Sequence, residues 1–387
     1  VVAVSGGGDS LALLALALET GRPVLAAIID HGLRPTSADD AAFAADIAQT
    51  LGAQVQIRRL TGLKPTQRHA RAARYAALCD IARSAGASAL WLGHTQDDQA
   101  ETVLMRAARG AGPRGLAAMA GLAWCGVWPE GRGVALARPL LTVSRQDLRT
   151  LLRARGLTWL EDPANVDPRY LRSRARAALA ADQPARARLA AIAARLSPLV
   201  EAEAAMAWAA AARIATTTAD GLCQVDARGL ATLPIGPRLR LWAALLAAAS
   251  GAPRPPVAAA VALLDKAALT PGFRGATLGG ASIARNQNHL QIARDPGAAL
   301  GHSGRPPLPA MALARSETVV YDARFEITAA TEGLFVRLCD QPPTPGAPKV
   351  TDAAGRPAAA QVQALADQRL RELLTRPQTH ETSVTGV

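Results

Sequence analysis

Along the first half of the chain, short unbroken apolar runs alternate with longer stretches that repeat at helical spacing. Val1 to Val4 is the first run, and a Leu/Ala helix is expected from Leu11. Val24 to Ile29 reads as a second buried strand, followed by a helix over Ala41 to Leu51 that Gly52 stops. Ala53 to Leu60 alternates as a strand does, and Arg68 to Ala85 is a long helix closed by Gly86. Ala89 to Leu92 is again apolar, and a helix runs from about Gln96 to Arg109. Apolar strands alternating with helices predict an α/β fold, a doubly wound parallel sheet covered by helices on both faces.

The pattern then changes. Ala175 to about Ala215 is an Ala/Arg/Leu-rich helix punctuated by Pro184 and Pro198, and Pro237 to Ala249 is a further helix. Gly251 to Pro256 marks a boundary, and a helix covers Val257 to Ala268. Gly275 to Arg294 reads as β-hairpins, with strands at Ala281 to Ala284 and His289 to Ile292. Gly297 to Pro309 is a linker, and Thr318 to Thr328 alternates again. A Pro-rich stretch covers Gln341 to Pro348, a helix is expected near Gln361 to Leu374, and the last residues read as disordered. Four segments result: an α/β domain over residues 1–180, a helical segment over 181–250, a small α+β domain over 251–330 and a tail domain over 331–387.

In open α/β sheets, ligands bind beyond the carboxyl ends of the strands. Three of the expected strand ends carry polar groups: Ser5 to Ser10, Asp30 to Arg34, and Gly93 to Glu101. The first is Ser5-Gly6-Gly7-Gly8-Asp9-Ser10 between a strand and a helix. Glycines there let the backbone approach a phosphate, and the helix N-terminus offers bare N–H groups and a favourable dipole. Ser5 and Ser10 can add hydroxyl donors. The loop is neither a Walker A loop nor the dinucleotide fingerprint, since no Lys-Ser/Thr pair closes it and Leu11 stands where the last glycine belongs. Asp9 would repel a phosphate unless a divalent cation lies between them, so the loop implies ATP with Mg²⁺. The plainer alternative is a glycine turn that joins strand to helix.

In the stretch Gly93 to Thr102, a helix starting at Thr95 places His94 at the strand end and Asp98 and Glu101 on one face. Thr95 and Asp98 also have the spacing of a capping box. Asp97 brings a third carboxylate, a repulsion that capping does not require; a metal, an amine or an arginine would relieve it.

The chain carries a net charge of +12, and only Lys64, Lys266 and Lys349 among its 43 basic residues are lysines. Such a balance favours a polyanionic partner, most simply nucleic acid. Ten arginines between Arg149 and Arg195 face four acids. Arg172, Arg174 and Arg176 fall at spacing two in what reads as a loop, so they are expected to find phosphate or substrate acceptors outside the protein. Cys79, Cys125, Cys223 and Cys339 form neither a zinc set nor a disulfide framework, which fits a reducing cytoplasm. No apolar run approaches a membrane span. Val1 falls inside the expected first strand, so native residues are expected to precede it.

Ser-Gly-Gly-x-Asp-Ser after a strand resembles the PP-loop of ATP pyrophosphatases, of the adenine nucleotide alpha hydrolase-like type. His94, Asp97 to Thr102, Arg106, Arg109-Gly110 and Gly115-Leu116 narrow the resemblance to the tRNA(Ile)-lysidine synthetases. Asp30 to Arg34, Ala70-Arg71 with Arg74-Tyr75, Arg138 to Leu141, and Asp162-Pro163-x-Asn165-x-Asp167-x-x-Tyr170-x-Arg172-x-x-x-Arg176 are similar to further blocks of that family in the same order. Two departures stand out: Thr95 replaces a second histidine, and Ala164 replaces the usual serine.

The resemblance implies a ligase that converts the wobble cytidine of the CAU anticodon of tRNA(Ile) to lysidine. ATP would adenylate the cytosine, and L-lysine would displace AMP. It implies nucleotide binding by Ser5 to Ser10 and catalytic roles for Asp9, His94, Asp98 and Glu101. Mg²⁺ would sit on Asp9 and Asp98, and Arg71, Arg74, Arg172, Arg174 and Arg176 would contact substrate or tRNA. Residues 181–250 would then help to contact tRNA. The alternatives are another PP-loop enzyme such as a tRNA thiolase, for which the scattered cysteines are poorly suited, and a non-catalytic tRNA-binding homologue.

Overall fold

The computed structural model describes residues 1–32, 34–62, 66–161, 167–169, 171–301, 307–338 and 347–378. Leu33, Asp162 to Val166, Tyr170, most of the Pro-rich stretch and the tail read as disordered therefore lie outside the described residues. Two compact units divide the chain, one of Val1–Glu201 with the segment from Arg376, the other of Ala202–Thr375.

The first unit runs β1 (Val2–Val4), α1 (Gly8–Glu19), β2 (Leu25–Asp30), α2 (Ser37–Thr50), β3 (Gln54–Arg59), α3 (Gln67–Ser84), β4 (Ala89–Trp91), α4 (Gln96–Ala107), α5 (Pro113–Leu116), β5 (Leu122–Trp124), β6 (Ala135–Ala137), α6 (Arg145–Ala154), α7 (Leu171–Leu179) and α8 (Gln183–Ile214). The division between units falls within α8. The sheet order is β3-β2-β1-β4-β6-β5, parallel except for β5. Alternate residues serve opposite faces. Val2, Val4 and Ile28 join a core with α1 and α2, while Ala27, Leu90, Leu92 and Leu136 join another with Tyr75, Leu78 and Ile81 of α3. Helix α1 packs against both β1 and α6, which is why it is Leu/Ala-rich all round. Leu11, Leu13 and Leu14 are at most 1% exposed, each contributing about 1.5–3 kcal/mol of burial.

The second unit begins with β7 (Ala215–Thr217), β8 (Cys223–Asp226), α9 (Ala227–Ala231), α10 (Ile235–Ser250), α11 (Ala258–Ala268), β9 (Gly275–Leu278), β10 (Ala281–Asn286), β11 (His289–Arg294) and α12 (Pro296–Leu300). Its strands form an antiparallel sheet, β7-β8-β11-β10-β9, backed by Leu241, Trp242 and Leu245 of α10. It continues through β12 (Met311–Leu313), β13 (Thr318–Tyr321), β14 (Phe325–Ala329), β15 (Leu334–Leu338), β16 (Pro348–Thr351), β17 (Ala360–Ala364) and α13 (Ala366–Leu374). These strands make two three-stranded sheets, β12-β15-β16 and β13-β14-β17, around Leu313, Tyr321, Phe325 and Val336.

The structure differs from the sequence pattern in instructive places. Strands β7 and β8, expected in the helical segment, join the second sheet, β8 pairing with β11 and β7 with β8, and β17 and β15 from the expected tail domain pair with β14 and β12. Gln361 to Ala364 is strand because β14 supplies a ladder for it. Thr318 to Thr328 is a hairpin, turned by Asp322 and Ala323 at φ +51 and +54. The helix expected from Ala175 is two helices, α7 and α8, and Pro198 lies inside the second without ending it. Among the described residues no helix is long and apolar enough to cross a membrane.

Candidate active site

Strands β1 and β4 are neighbours at the point where the strand order reverses, with β2 and β3 beyond one and β6 and β5 beyond the other. Such a switch point opens a crevice at the carboxyl ends of the strands. Ser5 to Ser10 leaves β1, Gly93 to Thr95 leaves β4, and Asp30 ends β2, so the three polar strand ends meet on one edge. The approach is close: a Cβ on Gly93 would stand 2.8 Å from the Asp9 carbonyl oxygen.

Gly6 takes φ +79, a backbone region that glycine enters without strain. The loop is pinned from one side, because the Leu160 N–H donates to Gly6 O at 2.9 Å and a Cβ on Gly8 would touch the Trp159 ring at 3.4 Å. The Ser10 hydroxyl donates to Gly7 O at 2.8 Å and accepts from the Ser5 N–H at 3.1 Å. Ser10 therefore holds the loop's shape instead of offering the free hydroxyl donor expected of it, whereas Ser5 is exposed. Helix α1 starts at Gly8 without a side-chain cap, and although the Ser10 N–H donates to Gly7 O at 3.1 Å, the N–H groups of Gly8 and Asp9 have no intrahelical acceptor.

Two acids of α4 are buried, Asp98 at 6% and Glu101 at 2% exposure. Asp98 does two jobs at once. Its Oδ2 accepts the Thr95 N–H at 2.8 Å and completes the capping box. Its Oδ1 accepts Arg172 Nη2 at 2.7 Å and Arg145 Nη2 at 3.1 Å. Glu101 takes no part in the cap. Its Oε1 accepts Arg176 Nε at 2.8 Å and Arg145 Nη1 at 3.5 Å, and its Oε2 accepts Arg172 Nε at 2.8 Å. Arg145 Nε also donates to Asp9 Oδ2 at 3.0 Å, which ties the loop to α4. Asp97 accepts the backbone N–H of Arg145 at 2.8 Å. The carboxylates of Asp9, Asp98 and Glu101 are thus matched by the guanidiniums of Arg145, Arg172 and Arg176, Arg186 Nη1 lies 3.6 Å from Asp97 Oδ1, and arginine is what relieves the acidic repulsion.

Burial opposes the charge of Asp98, but Arg172, Arg145 and the Thr95 N–H hold its carboxyl below the usual range. At Asp9 burial wins over Arg145 and raises the carboxyl. Burial also opposes the charge of Arg145, yet Asp98, Asp9 and Glu101 hold the guanidinium above its ordinary value.

The expectation that Arg172, Arg174 and Arg176 all need outside acceptors is corrected. They lie on α7, where Arg172 and Arg176, four apart, share one face toward Asp98 and Glu101. Arg174 is exposed.

A second cluster has the opposite character. Arg71 Nη2 donates to the Tyr75 hydroxyl at 3.2 Å, and the guanidiniums of Arg71 and Arg74 lie 4.9 and 5.5 Å from the Tyr75 ring centroid. Arg138 is near enough to the same phenol to interact with it electrostatically. Among the described residues none of these three arginines has a carboxylate partner, and Nε of Arg74 and of Arg138 is buried with no hydrogen bond. Buried cationic N–H groups without acceptors mark a place where an anion would be welcome.

His94 feels both clusters. Burial, reinforced by Arg138, Arg172 and Arg71 against the pull of Asp98, lowers its pKa to about 3, and its Nδ1 is buried without a partner. The imidazole is therefore neutral across the physiological range. Between about pH 6.5 and 3 the unfolded chain binds a proton here that the folded chain does not. Stability should fall with falling pH by up to about 1.4 kcal/mol per unit from this group. His94→Gln is expected to flatten the stability–pH curve by that slope over that window, measured by denaturant unfolding.

A magnesium ion characteristically takes one or two protein carboxylates together with substrate phosphates and water. Asp9, at the mouth of the loop, fits that part. Asp98 fits it poorly, with both oxygens already engaged. Among the described residues, no group of three or more His, Cys, Asp or Glu side chains is arranged to hold a metal.

A family model described as a PP-loop domain matches residues 1–183. A tRNA(Ile)-lysidine synthase of Hyphomonas neptunium is 37% identical over 336 residues, covering 85% of this chain and 89% of its own length. That of Caulobacter vibrioides is 39% identical over 344 residues, covering 87% and 75%. The chain belongs to the tRNA(Ile)-lysidine synthase family. A Methylobacterium member is 44% identical over 267 residues, 66% of this chain and 75% of its own. A solved U34-tRNA thiolase of Methanococcus maripaludis aligns over 50% of this chain and 70% of its own, at 18% identity and a TM-score of 0.42, too distant to carry an argument. The α/β unit with its glycine loop is accordingly the PP-loop domain of a tRNA(Ile)-lysidine synthase family member, an ATP-using enzyme family.

Three participants escaped the sequence reading of site residues: Arg145, Arg138 and Tyr75. For Arg145 a signal existed, since three acids on one sheet edge call for a cation, but nothing local says which arginine supplies it. Arg138 and Tyr75 lay in stretches noted only for their resemblance.

Proposed function

We propose that this protein converts the wobble cytidine of a CAU-anticodon tRNA(Ile) to lysidine, using ATP and L-lysine. ATP supplies an adenylyl group to the cytosine 2-oxygen with loss of pyrophosphate, and the lysine ε-amine then displaces AMP. The observation that carries this reading is the meeting, at one switch point, of a phosphate-type loop, a buried acid pair and an arginine cluster without carboxylates. The loop backbone and the α1 N-terminus would receive the phosphates, and Asp9 would hold Mg²⁺ against them. Asp98 and Glu101 would attract the lysine ammonium and help it lose a proton before attack. Arg71, Arg74 and Arg138 would face the phosphate of the departing AMP or of the tRNA. His94, held neutral, would orient substrate by hydrogen bonding. The chemistry belongs in the cytoplasm, where these substrates meet.

Sulfur transfer is the weaker alternative. Cys79, Cys125 and Cys223 are buried in apolar cores, and burial pushes the Cys223 thiol up to about 12, which suits packing and not nucleophilic attack.

The direct test is incubation with ATP, labelled lysine and a transcribed tRNA(Ile). Equal yields of AMP, pyrophosphate and lysine-bearing tRNA are expected, and ATP turnover without lysine incorporation would overturn the reading. With Arg172 and Arg176 engaged inside, Arg174 is the member of the trio free to meet a phosphate. Arg174→Gln should lower the log–log salt slope of tRNA binding by about 0.7–0.9, measured by filter binding across a salt series.

A further inference from the structure

Two guanidiniums of the acid–arginine network, Arg176 and Arg145, can each leave without orphaning Asp98 or Glu101, and Arg145 is the one that also touches the loop. Asp98 Oδ1 is shared by Arg172 at 2.7 Å and Arg145 at 3.1 Å, and Glu101 Oε1 by Arg176 at 2.8 Å and Arg145 at 3.5 Å. In each case Arg145 makes the longer bond. Removing it leaves both oxygens still hydrogen-bonded, whereas removing Arg172 would strip Glu101 Oε2. Arg145 is also the guanidinium of the three that is hydrogen-bonded to the phosphate-type loop, through Asp9 at 3.0 Å. Its backbone N–H, at the start of α6, is fixed separately by the Asp97 carboxylate of α4, so its long side chain can move without disturbing the helix.

We propose that Arg145 is a displaceable counter-ion: it occupies the cation position between Asp9, Asp98 and Glu101 until the substrate amine takes its place. The inference rests on the proposed lysine chemistry. Arg172 and Arg176 alone would leave three carboxylates facing two guanidiniums, an excess of buried negative charge that costs stability, and Arg145 supplies the third positive charge while the site is waiting. An incoming ammonium competes with it for the same oxygens. Phosphates arriving at the loop compete for the guanidinium itself, because an anion beside Asp9 offers it a new partner. Loosening Arg145 from either end helps the other ligand, so nucleotide and lysine bind cooperatively through one side chain.

The test is calorimetric titration of L-lysine into wild type and Arg145→Gln, with and without a non-hydrolysable ATP analogue. In wild type the analogue is expected to tighten lysine binding about fivefold or more. Arg145→Gln should bind lysine about tenfold tighter than wild type without nucleotide, and the analogue should then have no further effect. Arg145→Lys keeps a charge but loses the fork, and serves if the neutral variant does not fold; it too should bind lysine tighter than wild type, though by less. Equal or weaker lysine binding by the variants, beside a wild type that transfers lysine to tRNA, overturns this inference alone. A wild type that neither binds nor transfers lysine overturns the proposed function and this inference with it.

Discussion

Glu101→Gln is expected to reduce single-turnover transfer of labelled lysine to tRNA at least about 100-fold. Glu101 is the most buried of the site acids, and its two oxygens take three guanidinium contacts. An amide is nearly the same size but keeps one acceptor oxygen and turns its NH₂ toward guanidinium donors. The charge that would attract the lysine ammonium is gone, and so is the base that would take its proton. Breaking a buried ion network by removing one partner also costs about 3 kcal/mol, so a lower thermal midpoint should accompany the loss. Thr95→Ala provides the contrast. It removes the hydroxyl half of the capping box on the same helix, for about 1 kcal/mol, and leaves Glu101 and Asp98 Oδ1 where they are. Lysine transfer should survive in Thr95→Ala. If both variants lose transfer in proportion to their stability, the acids serve only to hold α4 in place.

Asp9→Asn should reduce pyrophosphate release from ATP at least about 100-fold, the scale on which removal of a charge-stabilising group acts. Its effect on tRNA binding should stay within about twofold. Asp9 sits where the loop becomes α1 and faces the crevice, and burial already makes its charged form costly. A costly charge kept at the mouth of an anion-binding loop is explained if a cation is to be shared with the phosphates. The asparagine keeps the size and one acceptor oxygen for Arg145 Nε, but it lacks the charge that would hold that cation. Pyrophosphate release and filter binding measured on the same preparation separate the two effects. Near-normal adenylation by the variant would remove Asp9 from the chemistry.

Much of this site was legible in the chain because its parts are local. A glycine turn between an apolar strand and a Leu/Ala helix is written in ten consecutive residues, since the backbone angles of such a turn depend on neighbours only. The Thr95–Asp98 box was legible for the same reason, its hydrogen bonds closing over three residues. That the polar strand ends share one edge follows from the alternation of strands and helices, because a parallel sheet wound in one hand places all its carboxyl ends together.

What joins the parts was not local. Arg145 meets Asp9 across 136 residues of sequence, and Arg172 meets Asp98 across 74. An arginine's reach is long and its charge is the same everywhere, so nothing at positions 145, 172 or 176 names the partner. The first turn of α7, before the helix expected from Ala175, was misread as a loop because the turn-forming residues ahead of it masked a good helical composition, and with it went the i, i+4 pairing of Arg172 and Arg176. The sequence by itself determined the strand-turn-helix loop, the capped acidic helix and the sheet edge they share, all consequences of short-range backbone geometry and hydrophobic period. Only the tertiary structure decided which arginines neutralise the acids and which are left facing an anion, because charge pairing depends on distances through space that the order of residues does not contain.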